Sequence, residues 1–282
     1  MSLKTENFQL KTGRETPVKV IYLLGLGHSG TTLLGRLLNA HSQVVATGGT
    51  KNIPLFVSGR KSCACGASSP DECTFWSRVQ AQLQIRGLSL ADLDVGYDHH
   101  RFDYQAVQTY YASVLTAADA SVIVDTSRRR GYFRELARTP GVELVPVHIF
   151  KDPRAQCSSA RRKGRSIWPA IWNYKTRSRR VRSLACDWPG MVHVSYEALC
   201  QDPRGELGRI MAAAGLELEE QQVSHWGEQE THILGGNRQR RSTSSEIRLD
   251  ESWRQRLTSL EQGVIQLLNG GEYRRNIEAS RP

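Results

Sequence analysis

The sequence predicts a three-layer α/β fold, a mostly parallel β-sheet flanked by helices. Three observations carry that expectation. Apolar, β-branched runs of strand length recur along the chain, helical patterns separate them, and a glycine-rich turn joins the first run to the first helix. Central parallel strands read as continuous apolar runs because helices cover both of their faces.

Taken in order, the first sixteen residues are polar and read as a loose lead-in, ahead of a single domain over 17–282. Residues 18–24 (VKVIYLL) form the first strand, and 31–41 the first helix, with Leu33, Leu34, Leu37 and Leu38 on one stripe. A second strand is expected at 43–46 (QVVA). Residues 52–100 are less regular and read as an excursion. Helices at about 103–119, 131–138 and 153–163 then interleave with strands at 121–125 (SVIVD) and 143–150 (ELVPVHIF). A fifth strand at 191–195 (MVHVS) precedes helices at 203–214 and 251–268.

A chain of 282 residues with 39% hydrophobic content can bury a substantial core. It has no signal-peptide pattern and no run of 18 apolar residues, so a cytoplasmic protein without a membrane span is expected. The net charge of +10 implies an anionic partner. Much of that charge sits in SRRR (127–130), SARRKGR (159–165), KTRSRRVR (175–182) and NRQRR (237–241). No helix-turn-helix or RNA-binding signature accompanies it, so nucleic acid is not expected. Cys157, Cys186 and Cys200 are scattered and read as inert thiols. Cys63, Cys65 and Cys73 resemble part of a zinc knuckle. With no fourth ligand nearby in sequence and a CxC spacing tight for zinc, structural thiols are the reading, ahead of a local disulfide or a metal.

The stretch GLGHSGTTLLGRLL (25–38) half-matches two phosphate loops. Gly25, Gly27 and Gly30 spell GxGxxG, but a dinucleotide site needs an acid about 20 residues on, and none occurs from Gly30 to Pro70. Gly25 and Gly30 with Thr31 and Thr32 also spell a P-loop that has Thr31 at its lysine position. Asp125 is the sole offer for the magnesium-holding aspartate, which leaves a kinase or nucleotidase as the alternative function. A ligand with one phosphate at the helix N-terminus fits better. The N–H groups of 27–32 and the hydroxyls of Ser29, Thr31 and Thr32 can hold it without magnesium. Two more polar segments, DTSRRR (125–130) and KDPRAQCSS (151–159), follow strand ends and converge on the same sheet edge. A second anionic group could meet Lys151 and Ser159.

These segments resemble the sulfotransferases that use 3′-phosphoadenosine 5′-phosphosulfate, whose fold is like that of P-loop NTPases. GLGHSGTTLL resembles their 5′-phosphosulfate loop, KDPRAQCSS their 3′-phosphate segment, and VSYEALCQDP (194–203) their tyrosine-glutamate segment. HILGGNRQR (232–240) is similar to a histidine-glycine-asparagine-proline-x-arginine element of bacterial members, with Arg238 at the proline position and Arg240 at the arginine. The resemblance implies 3′-phosphoadenosine 5′-phosphosulfate as co-substrate and a hydroxyl-bearing acceptor, and the missing P-loop lysine with no clear magnesium ligand implies no required metal. The resemblance also implies cofactor contacts at Gly27, His28, Ser29, Gly30, Thr31, Thr32, Lys151, Ser159, Tyr196, Arg238 and Arg240, with Tyr196 facing the adenine.

The chain also departs from the family pattern. His28 stands where Arg or Lys is common; a neighbouring phosphate would favour its charged form. Arg128 matches a sulfuryl clamp. The family's glutamate base is absent where Gly48 and Gly49 stand, which leaves Lys51, His99, His100 and Asp125 as replacements. Lys51 suits contact with substrate or sulfuryl oxygens. Trp168, Trp172 and Tyr174 lie among arginines, a setting for an acidic or sugar-like acceptor, although tryptophans also serve cores. Carbohydrate, lipid, small phenol and peptide tyrosine all remain open as acceptors.

Overall fold

The computed structural model describes residues 17–93 and 102–281, without the side chain of Arg238. The lead-in and two of the base candidates, His99 and His100, lie outside the described residues.

Five strands form one parallel sheet: β1 (Val18–Leu24), β2 (Val44–Gly48), β3 (Val122–Asp125), β4 (Val142–Phe150) and β5 (Val192–Ser195). Their order is β2-β3-β1-β4-β5, with β1 central, Tyr22 opposite Asp125 on one side and Leu24 opposite His148 on the other. All five expected strands are present. The β1 connection runs toward β2 and the β4 connection toward β5. The carboxyl ends of β1 and β4 therefore flank the point where the winding direction switches, the usual crevice for a ligand in such sheets.

Helices cover both faces because β1 alternates its buried side chains between them. Val20, Tyr22 and Leu24 pack with α3 (Thr74–Ile85), α4 (Tyr104–Ala118) and α5 (Arg130–Leu136), which follow α1 (Thr31–Asn39) and the short α2 (Ile53–Val57). Ile21 and Leu23 pack on the opposite face with Leu33, Leu34, Leu37 and Leu38 of α1. Each such fully buried side chain contributes about 1.5–3 kcal/mol. After β4 come α6 (Pro153–Arg161) and α7 (Trp168–Asp187); after β5 come α8 (Tyr196–Gln201), α9 (Pro203–Ala213) and α10 (Gln221–Ser224). The chain closes with α11 (Trp253–Arg256) and α12 (Ser259–Ser280).

Several elements differ from the sequence expectation, among them α3, a twelve-residue helix inside the stretch read as irregular. The twenty-residue α7 was not expected, since arginines dilute its stripe of Ile171, Tyr174, Ser178, Val181 and Leu184. The helix expected at 251–268 is two helices, because Thr258 and Glu261 form a capping box that starts a new one. Among the described residues, no helix is long and apolar enough to cross a membrane.

Candidate active site

The loop after β1 is built to leave a helix end open. Gly30 takes φ 102°, and a Cβ there would come within 2.7 Å of the Tyr196 ring, so glycine is required on two counts. No side chain caps α1 and no acid stands in its first turn, which leaves its N–H groups and positive dipole end available to an anion. The loop holds its own shape. Ser29 donates its hydroxyl to the Leu26 carbonyl at 2.8 Å, and Gln156 of α6 donates to the Gly27 carbonyl. Ser29 and Thr31 are buried, and Thr32 is half-buried with its hydroxyl beside Gly236.

His28 and Arg128 share an unusual backbone. Both adopt left-handed φ values, 74° and 60°, in loops that follow the neighbouring strands β1 and β3. Such conformations in non-glycine residues cluster at functional sites. The Arg128 guanidinium lies against Gly27, so the third loop closes over the first. Lys163, just past α6, places Nζ 2.8 Å from His28 Nε2. Partial burial, then the charges of Lys163, Arg162, Arg128 and Lys151, hold His28 below the ordinary imidazole range. The charged form expected beside a phosphate is thus disfavoured while the loop faces only cations.

The cations continue from there. Burial, followed by Arg128, Lys61 and Arg129, lowers Lys51, and burial followed by Arg240 lowers Lys61. Lys151, Lys163, His28, Arg128, Lys51, Lys61 and Arg240 therefore form a cationic arc along the carboxyl edge of the sheet. Among the described residues, none of the seven forms an ion pair with a carboxylate.

Asp125 is not part of that arc. It is fully buried, and its two oxygens accept from the Ser127 N–H at 2.6 Å and the Tyr111 hydroxyl at 2.5 Å. Ser127 in turn accepts from the Thr50 N–H at 3.0 Å. Asp125 thus ties the β3 loop to the turn carrying Lys51, buried away from the cationic arc. The missing glutamate also has a physical counterpart. A Cβ on Gly49, the second residue of the pair, would come within 3.2 Å of Ser127 Cα in the β3 loop, so the position is crowded.

On the β4 side, Lys151 is 8% exposed and its ammonium sits 3.9 Å over the Tyr196 ring. Burial is the main cause that lowers its proton affinity. Tyr196 is buried and donates its hydroxyl to the Arg248 carbonyl at 3.2 Å. Ser159 lies on α6, half-buried. Arg240 does not join Lys151 and Ser159. It donates to the Ser62 carbonyl at 3.2 Å and lines a cavity of about 390 Å³ with Lys61 and Gly236. The Gly48–Leu234 bridge sets Leu234 at the β2 edge, and from there the chain returns over α1, with Gly236 against Thr32 and the Gln239 carbonyl accepting from Arg36 at 2.8 Å. Arg238 begins a 3₁₀ turn beside it.

The aromatic segment divides. Tyr174 is buried and donates to the Lys151 carbonyl, while Trp168 and Trp172 are 61% and 67% exposed. Trp168 lines a cavity of about 570 Å³ with Arg161, Arg165, Leu260 and Glu261. The sequence reading missed Lys163, one of several bases in a row, and the fourth member of the cysteine group. His232 lies beside Cys63 and Cys73, although 159 residues separate it from Cys73.

The model of the sulfotransferase family matches residues 20–220. The fold is similar to the sulfotransferase domain from the Synechococcus PCC 7002 olefin synthase, at TM-score 0.54 and 16% identity over 93% of this chain and 98% of that one. It is similar to the sulfotransferase domain from the curacin biosynthetic pathway, at TM-score 0.53 and 14% identity over 91% and 99%. No curated protein matches the chain in sequence.

Proposed function

The chain belongs to the sulfotransferase family, and from that premise we propose that it transfers a sulfuryl group from 3′-phosphoadenosine 5′-phosphosulfate to a hydroxyl-bearing acceptor. The cationic arc around the uncapped α1 terminus carries the reading, because a donor with two separated anionic groups matches cations that lack carboxylate partners.

The α1 N-terminus takes the 5′-phosphate, whose charge grows as its bond to sulfur breaks. Fixed N–H donors there stabilise the transition state more than the ground state. Arg128 and Lys51 contact the sulfuryl oxygens. His28, charged once an anion is bound, donates toward the bridging oxygen. The acceptor oxygen bonds to sulfur in line as the bridging bond breaks, its proton passes to solvent water, and 3′,5′-adenosine diphosphate leaves. Lys151, seated on Tyr196, and Ser159 hold the 3′-phosphate. The cavity beside Trp168 receives the acceptor, where Arg165 suits an acidic or sugar-like molecule and Arg161 is held by Glu261.

Thermal shift tests the reading. We expect 3′,5′-adenosine diphosphate to raise the melting temperature and ATP with magnesium to leave it unchanged, with sulfuryl transfer persisting in chelator. Stabilisation by ATP–magnesium alone, with phosphate release, would overturn it.

A further inference from the structure

The cysteine segment of the excursion carries chemistry that sulfuryl transfer does not use. Cys63, Cys65, Cys73 and His232 bring one ligand atom each within 4.8 Å of one another. Cys73 Sγ lies 3.6 Å from Cys65 Sγ and 3.9 Å from Cys63 Sγ. His232 Nδ1 lies 3.2 Å from Cys73 Sγ and 3.9 Å from Cys63 Sγ. Zinc bonds of about 2.3 Å to sulfur and about 2.05 Å to nitrogen, set tetrahedrally, separate two sulfurs by about 3.8 Å and a sulfur from a nitrogen by about 3.6 Å. The four atoms bracket those spacings. A disulfide would instead need one pair at about 2.05 Å and would leave a thiol and the imidazole unused.

We propose that Cys63, Cys65, Cys73 and His232 form a structural zinc site that clamps residues 62–76 to residues 231–241. Three thiolates and one imidazole are a closed tetrahedral set of the kind zinc takes in structural sites, with no position left for substrate. The surroundings orient the imidazole. Trp76 donates its indole N–H to the His232 carbonyl at 2.9 Å, and Phe75 stacks on the imidazole at 5.1 Å between centroids. Glu230 lies 3.5 Å from His232 Nε2, which fixes the proton on that nitrogen and leaves Nδ1 for the metal. Cys73 is the N-cap residue of α3, so the helix fixes where its sulfur starts from. Binding releases the three thiol protons.

The clamp explains how a segment far along the chain is fixed beside the arc. Arg241 donates to the Cys63 carbonyl at 3.0 Å and Arg240 to that of Ser62, while Leu234 N–H bonds the Thr47 carbonyl at 2.9 Å. Metal binding thus sets the cavity that Lys61 and Arg240 line.

The test is elemental analysis of the full chain purified under reducing conditions from zinc-supplemented medium. One zinc per chain is expected, and cobalt(II) exchanged into the site should show the intense visible bands of tetrahedral thiolate coordination. Removing the metal with chelator should lower the melting temperature, with recovery on adding zinc but not magnesium. Cys65→Ser, at an exposed ligand, should weaken zinc binding by about 10-fold or more with the circular dichroism spectrum retained. Cys186→Ser, at an exposed cysteine outside the cluster, should leave zinc content unchanged. Less than about 0.1 zinc per chain together with a melting temperature indifferent to zinc would overturn the proposal. So would an intact mass about 2 Da below that of the reduced chain, the mark of a disulfide.

Discussion

Lys163 donates to His28 across 2.8 Å, so the imidazole accepts through Nε2 and is neutral in the free loop. Burial and the surrounding cations hold its proton affinity below the ordinary value, while a bound phosphate favours the imidazolium. The bound-state pKa is then the higher of the two. Between them, binding takes up a proton, and affinity for 3′,5′-adenosine diphosphate should rise as pH falls, by at most tenfold per pH unit. Calorimetry at about pH 6 and about pH 8, in buffers of different ionisation enthalpy, measures that uptake. His28→Gln should flatten the dependence. Equal proton uptake in wild type and variant would remove His28 from the phosphate site.

Arg128 gives a prediction of opposite sign for stability and activity. Its φ of 60° costs about 1–2 kcal/mol in a residue with a Cβ. Arg128→Gly should raise stability in urea by about 1 kcal/mol while lowering turnover by about 10²-fold or more, through loss of the sulfuryl contact. A variant that is both more stable and fully active would show that the guanidinium takes no part.

The parallel strands and the phosphate loop were legible in the sequence because their signals are local: continuous apolar runs, glycine spacing and the missing acid. What was hidden depends on tertiary placement. Lys163 is one of four bases in 161–165, and only the turn through Gly164, at φ 64°, decides which of them reaches His28. His232 could not be paired with a cysteine 159 residues away. Arg240 matches its motif, yet its guanidinium reaches Ser62 rather than Lys151. Asp125 ends a strand like many exposed aspartates, and only its burial under Tyr111 shows that it serves the loop.

That burial makes Asp125 a pH-dependent cost. It pushes the carboxyl up to about 6, so from about pH 4 to pH 6 the folded chain holds a proton that the unfolded chain has released. Stability therefore falls as pH rises through this window, by on the order of 3 kcal/mol in total. Asp125→Asn should remove that slope in denaturation series across the same range. An unchanged slope would place the titration elsewhere.

The 3′-phosphate preference tests the β4 side of the arc and separates Lys151 from Arg240. Lys151 is nearly enclosed over the Tyr196 ring, so a ligand lacking the phosphate leaves a buried ammonium without an anionic partner. Charge-assisted hydrogen bonds contribute roughly 1.5–3 kcal/mol each, and two of them, from Lys151 and Ser159, imply a preference of about 10²–10⁴ for 3′,5′-adenosine diphosphate over adenosine 5′-phosphate. Lys151→Ala should weaken the diphosphate, spare the monophosphate and so collapse the ratio. Arg240→Ala should leave the ratio intact, because that guanidinium is committed to Ser62. Titration calorimetry of both nucleotides against wild type and the two variants decides it. Wild-type affinities within about threefold of each other would mean that no 3′-phosphate pocket exists at Lys151, and the proposed donor would fall with it.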